Sequence, residues 1–294
     1  MVIQIVAGLA ALVVLFFLVV IIRDVNRFVT IEYHIPCKGL KRSYCFAMLS
    51  DLHNKQFGEH NSRLLNAVDG CRPDSILVAG DMLTSQMPAN YTPALETMKA
   101  LAVKYPVYYA NGNHEYRLKT DTYKYKNAYA DYAGQLRRAG VVLLENGNVL
   151  LPDAGIRIFG AEINMDYYKK LSRREMKVSY LNSLLGRPSS DEYNILIAHN
   201  PDYFKAYAAW GADLVLSGHV HGGIMRLPVL GGVLSPSLRL FPRYDGGLYT
   251  EEKASAEEKS RMILGRGLGT HTLPVRVFNP GELIVVRLDP ERGS

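Results

Sequence analysis

Hydrophobic and polar positions divide the chain into two unequal parts. From Val2 to Ile22 the run VIQIVAGLAALVVLFFLVVII holds one polar residue, Gln4, and no charge. As a helix it reaches about 30 Å, the hydrocarbon thickness of a bilayer. A signal peptide would show a basic start, a shorter apolar core and a small-residue cleavage site; none is present. The pattern predicts a transmembrane anchor over 1–22. Arg23, Arg27, Lys38, Lys41 and Arg42 follow the span, so the positive-inside rule predicts a single-pass cell-membrane protein whose remaining chain faces the cytoplasm.

After the anchor the pattern changes to short apolar runs that end abruptly in polar residues. FVTIEYHIP (28–36) reads as a first strand within a juxtamembrane segment, 23–43. YCFAMLSDLH, SILVAGD, PVYYANGNHE, YNILIAHNP and ADLVLSGHVHGG each climb through apolar residues and finish in Asp, Asn or His. Continuous apolar runs of this kind are strands buried on both faces. Helical spacing lies between them, at 59–70, 92–104, 122–139, 175–185 and 201–210. The alternation predicts a layered α/β domain. VVLLE with NVLLP reads as an antiparallel pair, and VRVFNPGELIVVRL as a hairpin around Pro280 and Gly281. The segment YTEEKASAEEKS (249–260) reads as a charged loop or short helix.

Composition narrows the function classes. Of 294 residues, 34 are basic and 28 acidic, a net +6. That mild excess suits an anionic substrate or a membrane surface, and no basic, aromatic-interleaved run suggests nucleic acid. Three cysteines without CxxC spacing exclude a disulfide framework and a thiolate zinc site.

The polar strand ends are Asp51 with His53, Asp81, Asn113 with His114, His199, and His219 with His221. Sites in α/β sheets form beyond the carboxyl ends of strands, so these residues should converge. In an extended segment, positions two apart point the same way, and each of the DLH and HVH pairs would grip one centre. Five of the eight histidines fall in this set. Imidazole, carboxylate and amide oxygen without thiolate suit Mn²⁺ first, with Fe²⁺ or Zn²⁺ as alternatives. Seven ligands suit two divalent ions sharing one carboxylate. Such a pair, about 3.5–4 Å apart, polarises a phosphoryl oxygen and supplies hydroxide at neutral pH.

In order, SDLHN, AGDML, GNHEY, AHNPD and SGHVHGG resemble the motifs of the calcineurin-like metallophosphoesterases. The resemblance runs from about residue 44 to 290, and the ending RGLGTHTLPVRVFNPGELIVVRL resembles the small membrane-anchored or exported bacterial branch. It implies a four-layer α/β/β/α sandwich with two mixed sheets over 44–290. It also implies roles: Asp51, His53 and His221 on one ion, Asn113, His199 and His219 on the other, and Asp81 bridging both. His114 would protonate the leaving oxygen or stabilise the transition state. The implied activity is hydrolysis of a phosphoester or pyrophosphate bond, with a lipid-linked ester such as a UDP-diacyl sugar as one substrate class. A general phosphomonoesterase or phosphodiesterase and a non-catalytic metal-binding scaffold are the other two readings.

The chain departs from the family pattern at one point near the site. Many relatives carry an acidic residue three positions after the GD aspartate, where it orients the catalytic histidine. Here that position is Thr84, which leaves Glu115 as the candidate partner of His114. Arg117, Arg226 and Arg266 lie near motifs and read as surface arginines or as holders of a second phosphate. His271 reads as a loop histidine.

Overall fold

The computed structural model describes residues 1–169, 174–227, 231–234, 242–254, 258–270 and 273–291. His271 lies outside them. In chain order, α1 (Val2–Val25) leads to β1 (Phe28–Cys37), β2 (Tyr44–Leu49), α2 (Ser62–Cys71), β3 (Ser75–Ala79), α3 (Thr92–Ala102) and β4 (Val107–Ala110). Next come α4 (Asn113–Thr120), α5 (Thr122–Tyr125), α6 (Ala128–Arg138), β5 (Val142–Leu143), β6 (Asn148–Leu151) and β7 (Ile156–Ala161). The chain continues through α7 (Val178–Leu185), β8 (Tyr193–Ala198), α8 (Phe204–Trp210) and β9 (Leu214–Ser217). It closes with β10 (Met225–Leu227), β11 (Gly231–Leu234), β12 (Gly247–Glu252), β13 (Lys259–Leu264) and β14 (Gly281–Pro290).

Two six-stranded sheets form, ordered β1-β14-β2-β3-β4-β5 and β12-β13-β9-β8-β7-β6. Both are mixed: β14 runs antiparallel to β2 but parallel to β1, and β6 and β12 run antiparallel to their neighbours. The inner faces meet in a core of Phe46, Met48, Leu77, Ile158, Ile195, Leu216 and Ile284. On the outer face of the first sheet, Leu64, Val68, Met98 and Leu136 from α2, α3 and α6 pack on Leu49, Ile76 and Val78. On the outer face of the second, Leu181, Phe204 and Tyr207 cover Phe159, Leu196 and Val215. The sequence pattern requires this four-layer α/β/β/α arrangement, because strands apolar on both faces need cover on both sides.

Several local expectations are corrected. VVLLE and NVLLP do not pair: β5 adds in parallel to β4 and β6 pairs with β7 in the other sheet. Pro280 and Gly281 make no hairpin turn; β14 inserts whole between β1 and β2, and a strand buried on both faces needs no alternation. The charged segment 249–260 contributes to β12 and β13, an antiparallel edge pair whose outward residues are exposed. The helix expected over 122–139 is interrupted at Lys126, whose φ of +53° no helix accommodates.

The first helix is long and apolar enough to cross a membrane, and no residue of its most apolar window is buried. It is therefore not a core helix. Only Asn26 and Arg27 separate α1 from β1, and β1 hydrogen-bonds along β14 from Phe28 to Cys37.

Candidate metal centre

The site lies where the carboxyl ends of the two sheets meet. From the first sheet, β2 delivers Asp51 and His53, β3 delivers Asp81, and the segment after β4 delivers Asn113 and His114. From the second, β8 delivers His199 and β9 delivers His219 and His221. All eight are brought together, and seven are buried, with His219 half-buried.

The means of convergence differs from the expected extended pairs. Asp51, His53, Asp81, His219 and His221 have φ of +49°, +48°, +55°, +75° and +53°. Both pairs sit in left-handed turns, so a sharp reversal after each strand aims the side chains, rather than strand alternation. Asn113 and His114 occupy the first turn of α4, an element the sequence reading took as a strand end.

Three groups of ligand atoms lie within 4.8 Å of one another: Asp51, His53 and His221; Asp81, His199 and His219; and His53, Asp81 and His114. His199 Nε2 stands 3.1 Å from Asp81 Oδ2 and 3.7 Å from Asp51 Oδ1, which links the first two groups. His221 Nε2 is 3.4 Å from Asp51 Oδ1 and 3.2 Å from His53 Nε2. Two imidazoles on one ion, with bonds of about 2.1 Å, would place their nitrogens about 3 Å apart.

The surrounding backbone fixes which atoms face inward. His199 Nδ1 lies 2.6 Å from the Ala79 carbonyl and His53 Nδ1 3.2 Å from that of Leu83. Each therefore donates from Nδ1 and turns Nε2 into the site, where the neutral ring offers a lone pair. Asp51 accepts the His219 N–H at 3.0 Å, and Asp81 accepts the His114 N–H at 2.8 Å. A Cβ on Gly112 would collide with Asp81 and one on Gly218 with Asp51, so both carboxylates rest directly on glycine backbone. Asn113 Oδ1 is buried without a hydrogen-bond partner among the described residues. Buried amide oxygens are ordinarily paired, so an orphaned one on the residue before His114 fits a cation ligand. The residues present thus fit a pair of divalent ions.

Charge in the metal-free chain reflects this crowding. Burial pushes the Asp51 carboxyl up to about 6, against the pull of His199. Burial also disfavours a charged His199, yet the carboxylates of Asp81 and Asp51 outweigh it and lift the imidazole to about 10. Burial raises Asp81 too, but His199 and His114 overcome it and hold the carboxyl well below its ordinary range. His221 is pushed far down by burial and by His53.

Glu115 does not orient His114. Its carboxylate accepts the backbone N–H groups of Asp81, Met82 and Gly112 at 2.9, 2.8 and 3.0 Å and the Tyr109 hydroxyl at 2.8 Å. It thereby holds the GD loop against the start of α4. The partner of His114 is Ser85, whose backbone N–H reaches Nδ1 at 2.8 Å and whose Oγ lies at the same distance. Arg117 donates to that Oγ at 2.9 Å. Arg226 pairs with Asp245 and Arg266 with Glu282. Sequence reasoning also missed Tyr168, edge-on to His219 with ring centroids 5.2 Å apart, and Asn279. Asn279 Nδ2 donates to the carbonyls of His221 and Gly223 at 2.8 and 2.7 Å.

The calcineurin-like phosphoesterase family model matches residues 46–223, more than half of the chain and every residue of this cluster. The chain belongs to that family. Among metallophosphoesterase relatives, an uncharacterized one from Campylobacter jejuni is 26% identical over 88% of this chain and 62% of its own length. A phosphodiesterase of Escherichia coli is 27% identical over 56% of this chain and 55% of its own length. A transmembrane protein with a metallophosphoesterase domain from Danio rerio is 23% identical over 86% of this chain and 55% of its own length. The chain thus spans less than two thirds of the length of each. Membership gives the eight clustered residues a family context, with the ligand-bearing strand ends all inside the matched region.

Proposed function

We propose that this phosphoesterase is anchored in the cell membrane by α1 and hydrolyses a phosphodiester or pyrophosphate bond of a lipid-linked substrate, such as a UDP-diacyl sugar. The observation that carries the reading is the shared wall of the two ligand groups, with His199 lying between the Asp51 and Asp81 carboxylates. Asp51, His53 and His221 would hold one ion, Asn113, His199 and His219 the other, and Asp81 would contribute to both. Mn²⁺ suits this oxygen and nitrogen donor set. Bound there, two divalent ions supply Lewis acidity toward the phosphoryl oxygens and hydroxide at neutral pH.

The chain's own residues supply orientation and a proton donor. Ser85 N–H occupies His114 Nδ1, so the neutral ring carries its proton on Nε2, 3.9 Å from Asp81 Oδ2. His114 then donates a hydrogen bond to phosphoryl or leaving-group oxygen, where negative charge builds. A neutral ring gives a hydrogen bond rather than a full proton, which suffices where the departing group is already stable as an anion, as the phosphate released from a pyrophosphate is. Similarity to a phosphodiesterase of Escherichia coli supports diester chemistry, and similarity to a transmembrane protein of Danio rerio supports anchoring. Basic residues directly after α1 favour a cytoplasmic domain.

The test is turnover by the full chain in proteoliposomes with added Mn²⁺. The substrates are p-nitrophenyl phosphate, bis-p-nitrophenyl phosphate and a lipid-linked pyrophosphate. Hydrolysis of the last two, abolished by chelation, is expected. Preference for the soluble monoester would overturn the substrate class; no turnover of any would overturn the reading.

A further inference from the structure

The C-terminal end of α1 is docked into the protein. Asp24, in its last turn, is only 2% exposed. Its Oδ2 accepts the Asn279 backbone N–H at 3.0 Å, and its Oδ1 accepts from Arg27 Nε at 3.0 Å. Lys55 Nζ reaches Asn26 Oδ1 at 2.8 Å, and the Gly281 N–H reaches the Arg27 carbonyl at 3.2 Å. A buried carboxylate with partners from both sides fixes the helix relative to the segment that leads into β14.

From that segment, 273–280, Phe278 reaches back along α1. The Phe278 ring lies 6.3 Å from the Phe16 ring, centroid to centroid. Phe16 precedes Ile22 by six residues, about 9 Å of helical rise. Helical side chains lean toward the N-terminus, which carries the Phe16 ring further from Ile22. If the apolar stretch of α1 fills the bilayer, Phe278 sits below the hydrocarbon boundary beside it.

The segment suits that position. Leu273 is 63% and Phe278 42% exposed, whereas Arg276, Val277 and Asn279 between and beside them are buried. Phe278 has a φ of +54°, an uncommon and costly conformation for an aromatic residue, and here it turns the ring outward. The turn is held from below. The buried Arg276 guanidinium donates to the carbonyls of Asn279 at 3.1 Å, Arg266 at 2.9 Å and Gly267 at 3.2 Å. Apolar side chains on a braced loop insert without the ordering cost of a flexible one. The next residue, Asn279, binds the His221 and Gly223 carbonyls, so the exposed ring and the support of the ligand turn are neighbours in the chain.

We propose that residues 273–279 form a membrane-inserting wedge. Phe278 and Leu273 enter the bilayer beside α1, and Asn279 ties that wedge to the metal site, which is thereby held at the level of lipid phosphates. The inference rests on the anchored reading of α1. Trp210 is the chain's single tryptophan and is 4% exposed, so the parent gives a steady fluorescence baseline. Phe16→Trp, Phe278→Trp and Leu273→Trp are each reconstituted as full-length protein in phosphatidylcholine vesicles, with and without brominated acyl chains. The added emission of F278W and L273W should be quenched by brominated lipid, as that of F16W is, and shielded from aqueous iodide. If F16W is quenched while the loop tryptophans respond only to iodide, the wedge is overturned and the anchor stands. If F16W is not quenched, the anchored reading falls and the wedge with it. Should F278W not fold, L273W reports in its place.

Discussion

The backbone N–H of Ser85 points at Nδ1 of His114 from 2.8 Å. A main-chain donor cannot turn into an acceptor, so it selects the ring tautomer more firmly than a carboxylate would. His114→Ala removes the proton at Nε2 and should lower kcat by about 100- to 1,000-fold, as loss of a transition-state donor does. Ser85→Ala keeps the N–H, so kcat should fall by about ten-fold or less, with KM unchanged. Steady-state kinetics on bis-p-nitrophenyl phosphate separate the two. Loss of bound metal in His114→Ala would show it to be a ligand instead.

Asn279 supports the ligand turn through two carbonyls. Asn279→Ala leaves both unpaired, at a cost of about 1–3 kcal/mol each. Metal affinity should drop with stability, because His221 is carried on the same turn. Asp24→Ala removes the partner of the Asn279 N–H and of Arg27 but leaves both ligand-turn carbonyls paired, and should give a smaller loss of both. Chelator competition and thermal melting measure them.

Metal loading should release protons. The Asp81 and Asp51 carboxylates hold His199 protonated up to about pH 10 in the metal-free chain, so this imidazole must shed a proton to bind an ion at neutral pH. Asp51, raised to about 6 by burial, adds a second proton below that pH. Calorimetric titration with Mn²⁺ in two buffers of different ionisation enthalpy should show net release, greater at about pH 5.5 than at about pH 8.

The metal-free protein should lose stability as pH rises. Burial, with the nearby Asp81 charge, lifts Glu115 from 4.5 to about 7. A raised folded pKa means stability present below the unfolded value and lost as pH climbs through the folded one. For Glu115 that window is 4.5 to about 7, for Asp51 3.8 to about 6, and for His199 6.5 to about 10, all with the same sign. Asp81 and His221 act oppositely: Asp81 loses stability only as acid protonates it below its ordinary range, and His221 loses it as pH falls below 6.5. Between about pH 5 and about pH 8 that sets one group, His221, against the three above. Chelated protein should therefore melt lower at about pH 8 than at about pH 5, and Glu115→Gln should flatten the Glu115 part of that slope.

The layered fold was legible because buried strands read as apolar runs, and the metal cluster because each run ends in a polar motif at a sheet's carboxyl edge. What was illegible depends on contacts distant in sequence. Ser85 meets His114 across a gap of 29 residues and Asn279 meets His221 across 58, and neither belongs to a spacing pattern. The left-handed conformations of Asp51 and His219 belong to turns braced by a contact 168 residues apart in sequence, His219 N–H on the Asp51 carboxylate, which periodicity does not encode. The insertion of β14 beside β2 was hidden for the same reason: a central strand and one arm of a hairpin share the same apolar run.

Only Asn26 and Arg27 join α1 to the sheet. With α1 seated in a bilayer, as proposed, so short a joint would keep the site from swinging on a tether to collect esters from bulk solution. The site would travel at one altitude, with lateral diffusion in the plane as its search. Substrates would then be sorted by how high their phosphorus stands above the lipid surface before any side chain touches them.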